Sequence, residues 1–263
     1  MCEQNAITIM QNWKAAANIA HAGVLLVGLH WQAEFCDTSI NRWNVWNDHT
    51  ARRTRTFFDS VQGRAGILNV AHTLNDYDAR KGGDRMLNAE IPEATKARIW
   101  PTQPNQAERV LYSSYDNIFE PPNDVTTELD LSRILNGTNT HTAIYTGCNI
   151  QACLENSAAT SILNFENVAI VVDLVSSNGI YDGQTNTFPC KACAGSGWAT
   201  LRSLYHRDAI LVKADDLRAM LDSNAPFDIS KIALSLEDAK TAYESAIPAL
   251  PLPPHKTPSL TPA

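Results

Sequence analysis

Six short runs that carry clustered apolar residues, separated by stretches with helical spacing or polar connections, constrain the fold of this chain more than any other feature. They are GVLLVGLHW (23–31), AGILNVAHT (65–73), RVLYSSYDN (109–117), HTAIYTG (141–147), NVAIVVDLV (167–175) and DAILVKA (208–214). Several are apolar on successive residues, which is the pattern of strands buried on both faces. Helical spacing recurs in 6–21, 40–62, TTELDLSRILNG (126–137), QACLENSAATSILNF (151–165) and WATLRSLYHRD (198–208). Strand and helix alternating over residues 24–222 predict an α/β fold, a mostly parallel sheet with helices on both faces, that is, a three-layer α/β/α sandwich. In such sheets ligands bind beyond the carboxyl ends of the strands.

At 263 residues the chain is long enough for one main core with extensions. The expected division is an N-terminal helical extension (1–22), a main domain (23–222) and a C-terminal extension (223–263) ending in the Pro-rich tail PLPPHKTPSLTPA (251–263). Within the main domain, residues 74–107 carry Gly82, Gly83, Pro92, Pro101 and Pro104 and read as a long loop. Residues 185–197 read as a second loop rich in Cys and Gly. A net charge of −7 disfavours a nucleic-acid partner. The stretch with Arg52, Arg53 and Arg55 reads as a solvated helix face. No apolar run reaches the ~18–20 residues that span a bilayer, and the interrupted N-terminus does not resemble a signal peptide, so the expected compartment is the cytoplasm with thiols reduced. The Pro-rich tail, which cannot fold alone, points to a homo-oligomer or a larger assembly.

TGCNIQACLENSA (146–158) joins the fourth apolar run to a helix and places Cys153 in the first helical turn. Backbone N–H groups and the positive dipole end there favour thiolate over thiol and can hold an oxyanion. A buried packing cysteine is the competing reading, and for Cys148 the simpler one. CKACAGSG (190–197) has the Cys-x-x-Cys-x-Gly-x-Gly form of a zinc half-site, with Cys190 and Cys193 as weak candidate ligands. One copy lacks two of the four ligands zinc needs, so a loop carrying two thiols is the expectation, with no metal and no cofactor.

TGCNIQACLENSA resembles the signature of the isochorismatase-like cysteine hydrolases, Thr-Gly-Val-x-x-x-x-Cys-Val-Glu-x-Thr-Ala, through Thr146, Gly147, Cys153, Glu155 and Ala158. LLVGLHWQAEFCD (25–37) resembles the family's opening strand, with Gln32, Glu34 and Phe35 in register, and AERVLYSSYDN its third segment, through Tyr112, Ser113 and Tyr115. The later strands follow in order, so the likeness spans about residues 24–222. It implies a three-layer sandwich and hydrolysis of a small amide, ureido or enol-ether substrate. The amidase members use Cys, Asp and Lys; here Cys153 stands at the Cys, His30 at the Asp and Arg109 at the Lys. His30 can take a thiol proton at neutral pH, whereas Arg109 stays charged and can only orient an anion. The family often has a cis bond at the position of Cys148–Asn149, which makes Asn149 and Cys148 candidates for the oxyanion hole and Tyr115 and Gln32 for substrate contact. Nicotinamidase-type members hold a metal through Asp-x-His; VAHTLNDYD has His72 without that Asp, and His72 and His49 remain candidate pocket residues. Two readings follow: a cysteine hydrolase of a small amide or ureido substrate with a divergent triad, or an inactive isochorismatase-like subunit serving a larger assembly.

Overall fold

The computed structural model describes residues 23–40, 44–61, 68–75, 98–102, 109–113, 117–119, 140–177, 191–223 and 226–248, of which 68–75, 109–113 and 191–193 are described through their backbone. The expected helices in 6–21 and 126–137, most of the 74–107 loop, Tyr115, Cys190 and the Pro-rich tail lie outside the described residues.

All six apolar runs form strands: β1 (Val24–Leu29), β2 (Leu68–Asn75), β3 (Arg109–Ser113), β4 (Thr142–Cys148), β5 (Asn167–Ser176) and β6 (Ile210–Val212). They make one sheet in the order β3-β2-β1-β4-β5-β6, and every neighbouring pair is parallel. The chain builds outward from β1 to one edge, then crosses back to β4 and builds to the other. The sheet therefore reverses direction between β1 and β4, and at such a switch point the connections leave a crevice above the carboxyl ends of the strands.

Side-chain alternation along the strands divides the core into two layers. Leu25, Val27, Leu29, Tyr145, Ile170 and Val172 face one side, against Ile150, Leu154 and Ala158 of the segment after β4 and Leu201 and Leu204 of helix α4 (Lys191–Tyr205). Val24, Leu26, Ile144, Ala169 and Val171 face the other, against Phe57, Phe58 and Val61 of α2 (Val45–Val61) and Leu217 and Leu221 of α5 (Ala214–Asp222). Helices thus cover both faces, as the three-layer expectation requires. The short helix α1 (Ala33–Cys36) follows β1, and α3 (Glu155–Ser161) completes the segment after β4.

Two expectations need correction. Residues 191–197, read as the end of the Cys/Gly loop, are helical: α4 covers Lys191–Tyr205, with Gly195 and Gly197 inside it. A Cβ on Gly197 would sit 2.4 Å from Tyr243 Oη and 3.2 Å from Ile150 Cδ1, so this glycine serves close helix packing rather than flexibility. The compact core also continues past residue 222. Helix α6 (Leu236–Ala246) buries Tyr243 between Trp46 and Trp198, with ring centroids 6.1 and 6.2 Å away, and the Leu234 N–H bonds the Leu211 carbonyl of β6 at 2.8 Å. Ser235 caps this helix by accepting from the Asp238 N–H. Among the described residues, no helix is long and apolar enough to cross a membrane.

Candidate active site

β1 and β4 meet at the switch point with Leu29 opposite Gly147. Gly147 has φ +140°, and a Cβ there would lie 2.4 Å from Leu29 Cβ and 2.6 Å from the Leu29 carbonyl oxygen. Only glycine lets β4 close against β1 at this point. Thr146 secures the same junction: its hydroxyl donates to the Val27 carbonyl at 3.1 Å and accepts from Trp31 Nε1 at 3.3 Å.

Each strand ends in an unusual turn. His30, directly after β1, has φ +50° and is completely buried. Its carbonyl accepts from the Gln32 N–H at 2.8 Å and from the Cys148 thiol at 3.2 Å, so the last residue of β4 holds the first turn residue after β1. After β4 the Cys148–Asn149 peptide bond is cis, at the position the family resemblance implies. A π-helical turn, Ile150–Leu154, follows, with the Leu154 N–H bonded to the Asn149 carbonyl at 3.1 Å. Such turns are rare and recur at functional sites. Cys153 lies in this turn and is 3% exposed. Ser177, just beyond β5, supports the turn by accepting from the Ile150 N–H at 3.3 Å and bonding the Gln151 side-chain oxygen.

Cys153 and Cys148 thus occupy different environments. Cys148 is fully buried in a small cluster with Trp31, Cys36 and Ala51. Burial pushes its thiol well above the ordinary value, and the adjoining Cys36 raises it further. Cys148 is a neutral packing thiol that tethers His30. Gln32, the other candidate contact, is completely buried, and its carbonyl accepts from the N–H groups of Phe35 and Cys36 at 3.1 Å each.

A strap that the motifs did not reveal holds the backbone after His30. Residues 98–102 run antiparallel to it: the Ala33 N–H bonds the Arg98 carbonyl at 2.8 Å and the Trp100 N–H bonds the Trp31 carbonyl at 2.9 Å. Arg98 reaches Asp37 at 2.5 Å, and Trp100 Nε1 donates to Asp48 at 2.6 Å. Arg52 and Arg98 each lie over the Trp100 ring, 5.4 and 5.1 Å from its centre. Burial tends to raise the Asp37 carboxyl, yet bonds from the Ser39 hydroxyl and N–H together with Arg98 hold it below its ordinary value. The only sequence signal for this strap was the length of the polar loop, since long loops in compact domains are often functional.

Strand register separates the third triad candidate from the other two. Leu29 is level with Thr73, and Thr73 with Leu111, so Arg109 starts β3 three residues below the level of His30. At about 3.3 Å per residue and about 4.8 Å per strand spacing, the two backbones are about 14 Å apart. The structure gathers His30, Cys148, Asn149 and Cys153 at the ends of β1 and β4; it sets the backbone of Arg109 lower and two strands away.

No protein-family model matches the sequence, and no curated protein matches it. Solved structures do match. A cysteine hydrolase from Pseudomonas syringae pv. phaseolicola is 9% identical and superposes with a TM-score of 0.58 over 76% of this chain and 92% of its own. An isochorismatase-like hydrolase from Alkaliphilus metalliredigens is 13% identical, with a TM-score of 0.53 over 74% and 97%. N-carbamoylsarcosine amidase from Thermoplasma acidophilum is 14% identical, with a TM-score of 0.51 over 73% and 96%. The chain has the α/β fold of these solved hydrolases, the isochorismatase-like one among them.

Proposed function

We propose that the protein is a cysteine hydrolase that cleaves the C–N bond of a small amide or ureido substrate. The observation supporting this most directly is the position of Cys153 and His30 on either side of the β1/β4 switch point, the place where an open parallel sheet offers a reactive crevice.

In this proposal His30 takes the Cys153 proton as the sulfur attacks the substrate carbonyl. The backbone N–H groups of Asn149 and Cys153 hold the oxyanion that forms. Collapse breaks the C–N bond, the departing nitrogen takes the proton from His30, and a thioester remains. Water, deprotonated by His30, then attacks the thioester and restores the thiol. No proton passes through Arg109, because a guanidinium stays charged. In this proposal an imidazole takes the place of the carboxylate base of the amidase members.

The solved amidase with this fold is named for a carbamoyl substrate, so ammonia release from N-carbamoyl amino acids and simple primary amides is the first assay. Turnover with the full chain, and its loss by at least a hundredfold in Cys153→Ser, is the expected result. Equal turnover in that variant, or neither turnover nor acylation of Cys153 across the panel, would overturn the proposal.

A further inference from the structure

A cavity of about 690 Å³ opens at the carboxyl ends of β5 and β6, and none of His30, Cys148, Asn149 or Cys153 lines it. Its size is that of a small-molecule site. Four parts of the fold form the walls: α2, the end of β5, the junction of β6 with α5, and α6. Asp173 forms part of the wall. It continues the strand alternation of Ala169 and Val171 toward α2 and α5, so a carboxylate stands where the next core side chain would fall. Its Oδ1 accepts from the Ala214 N–H at 2.9 Å and its Oδ2 pairs with Arg53 at 3.2 Å.

The chemistry a ligand would meet depends on which groups the protein has already used. Asp215 pairs with Arg218 at 2.8 Å, and Asp238 accepts from the Ser235 hydroxyl at 2.7 Å. Arg53 spends one donor on Asp173 and keeps the rest of its fork. Among the described residues, Lys213 and Asp216 have no ion pair and His49 has no hydrogen bond. Burial, and then the neighbouring Arg53, push the His49 imidazole below its ordinary value against the opposing pull of Asp48, so it is neutral at pH 7. The hydroxyls of Thr241 and Ser245 donate to their own helix at 3.0 and 2.7 Å, which leaves lone pairs to offer. Unspent donors on Arg53 and Lys213 match a carboxylate. The Asp216 carboxylate and the hydroxyl lone pairs match an ammonium. Leu234, Ala242 and Ala246 add an apolar wall.

We infer that this cavity is a second ligand site, distinct from the thiol site, that takes a free α-amino acid with an aliphatic side chain. The carboxylate lies against Arg53 and Lys213, the ammonium against Asp216, and the side chain against α6. The inference stands apart from the thiol chemistry.

Calorimetric titration of the full chain with L-leucine, with 4-methylpentanoate (leucine without its amine) and with 3-methylbutylamine (leucine without its carboxylate) tests it. Saturable leucine binding at least tenfold tighter than either analogue is expected. Lys213→Met, at an exposed residue outside the core, should weaken leucine at least tenfold, and Asp216→Asn should narrow the gap between leucine and 4-methylpentanoate. Arg53→Met should also weaken binding, but Arg53 supports Asp173, so Lys213→Met is the decisive variant because it leaves that ion pair intact. Absence of saturable leucine binding at millimolar concentration, or equal binding by Lys213→Met, would overturn the inference.

Discussion

At the ends of β1 and β4, the groups that set the backbone are themselves buried: Gly147 against Leu29, Thr146 between Val27 and Trp31, and the Cys148 thiol on the His30 carbonyl. At the ends of β5 and β6, Asp173 joins Arg53 and the first N–H of α5 beside an open, charged cavity. The same sheet rim is thus closed by contact at its centre and by charge toward its edge. Contact at van der Waals distance fixes positions to fractions of an ångström and tolerates no added atom. Charge pairs beside water tolerate substitution and leave groups for a ligand, because solvent can replace a lost partner.

That contrast can be broken by mutation. Gly147→Ala should have the largest effect, because its Cβ would overlap backbone and side chain of Leu29 at a φ that disfavours alanine. A loss of about 3 kcal/mol or more in urea unfolding is expected, and a loss below about 1 kcal/mol would mean that the two strands are not so closely locked. Thr146→Val leaves the buried Trp31 N–H without its acceptor and should cost about 1–3 kcal/mol by the same measurement. Asp173→Asn, at the open end, keeps an acceptor for the Ala214 N–H and removes only the charge facing Arg53, which water reaches, so it should cost only about 1 kcal/mol; a cost equal to that of Thr146→Val would erase the difference between the two ends.

Two smaller tests sharpen the comparison. In α4, Gly195 has open space around its would-be Cβ whereas Gly197 abuts Tyr243. Gly195→Ala should stabilise by about 0.5–1 kcal/mol through helix propensity, and Gly197→Ala should destabilise despite the same propensity gain. The strap supplies a pH test. Asp37 titrates below its ordinary value when folded, so its contribution is complete above the unfolded carboxyl pKa of about 3.9 and fades as pH falls below it. The stability gap between the wild type and Asp37→Asn should therefore be constant near neutrality and shrink below about pH 4.

Much of the fold was legible because strand apolarity reports burial on both faces: each predicted strand appears, with ends shifted by a few residues. The helix over 191–205 was misread at its start because Gly195 and Gly197 look like loop residues until Tyr243, nearly fifty residues later, is seen packed on one of them. In the site, the motif pointed to Cys153 and to His30, which follow β4 and β1 in the chain. The strap was illegible because Arg98, Trp100, Asp37 and Asp48 meet through tertiary packing with no fixed spacing. Arg53 read as one of three solvated arginines, and its partner Asp173 lies 120 positions away on a strand. Arg109 aligned by motif, but register, which a single sequence does not encode, sets its backbone away from the other two.

The central claim, that His30 activates Cys153, is tested most directly by the rate of Cys153 alkylation with iodoacetamide as a function of pH, compared between the wild type and His30→Asn. Asparagine tolerates the left-handed backbone found at this position and cannot accept a proton. The account predicts that the wild type labels Cys153 well before the fully buried Cys36 and Cys148, with a rate that rises through the imidazole range. In His30→Asn that rise should be lost and the rate at pH 7 should fall at least tenfold. Identical rates and profiles in the two proteins would contradict it.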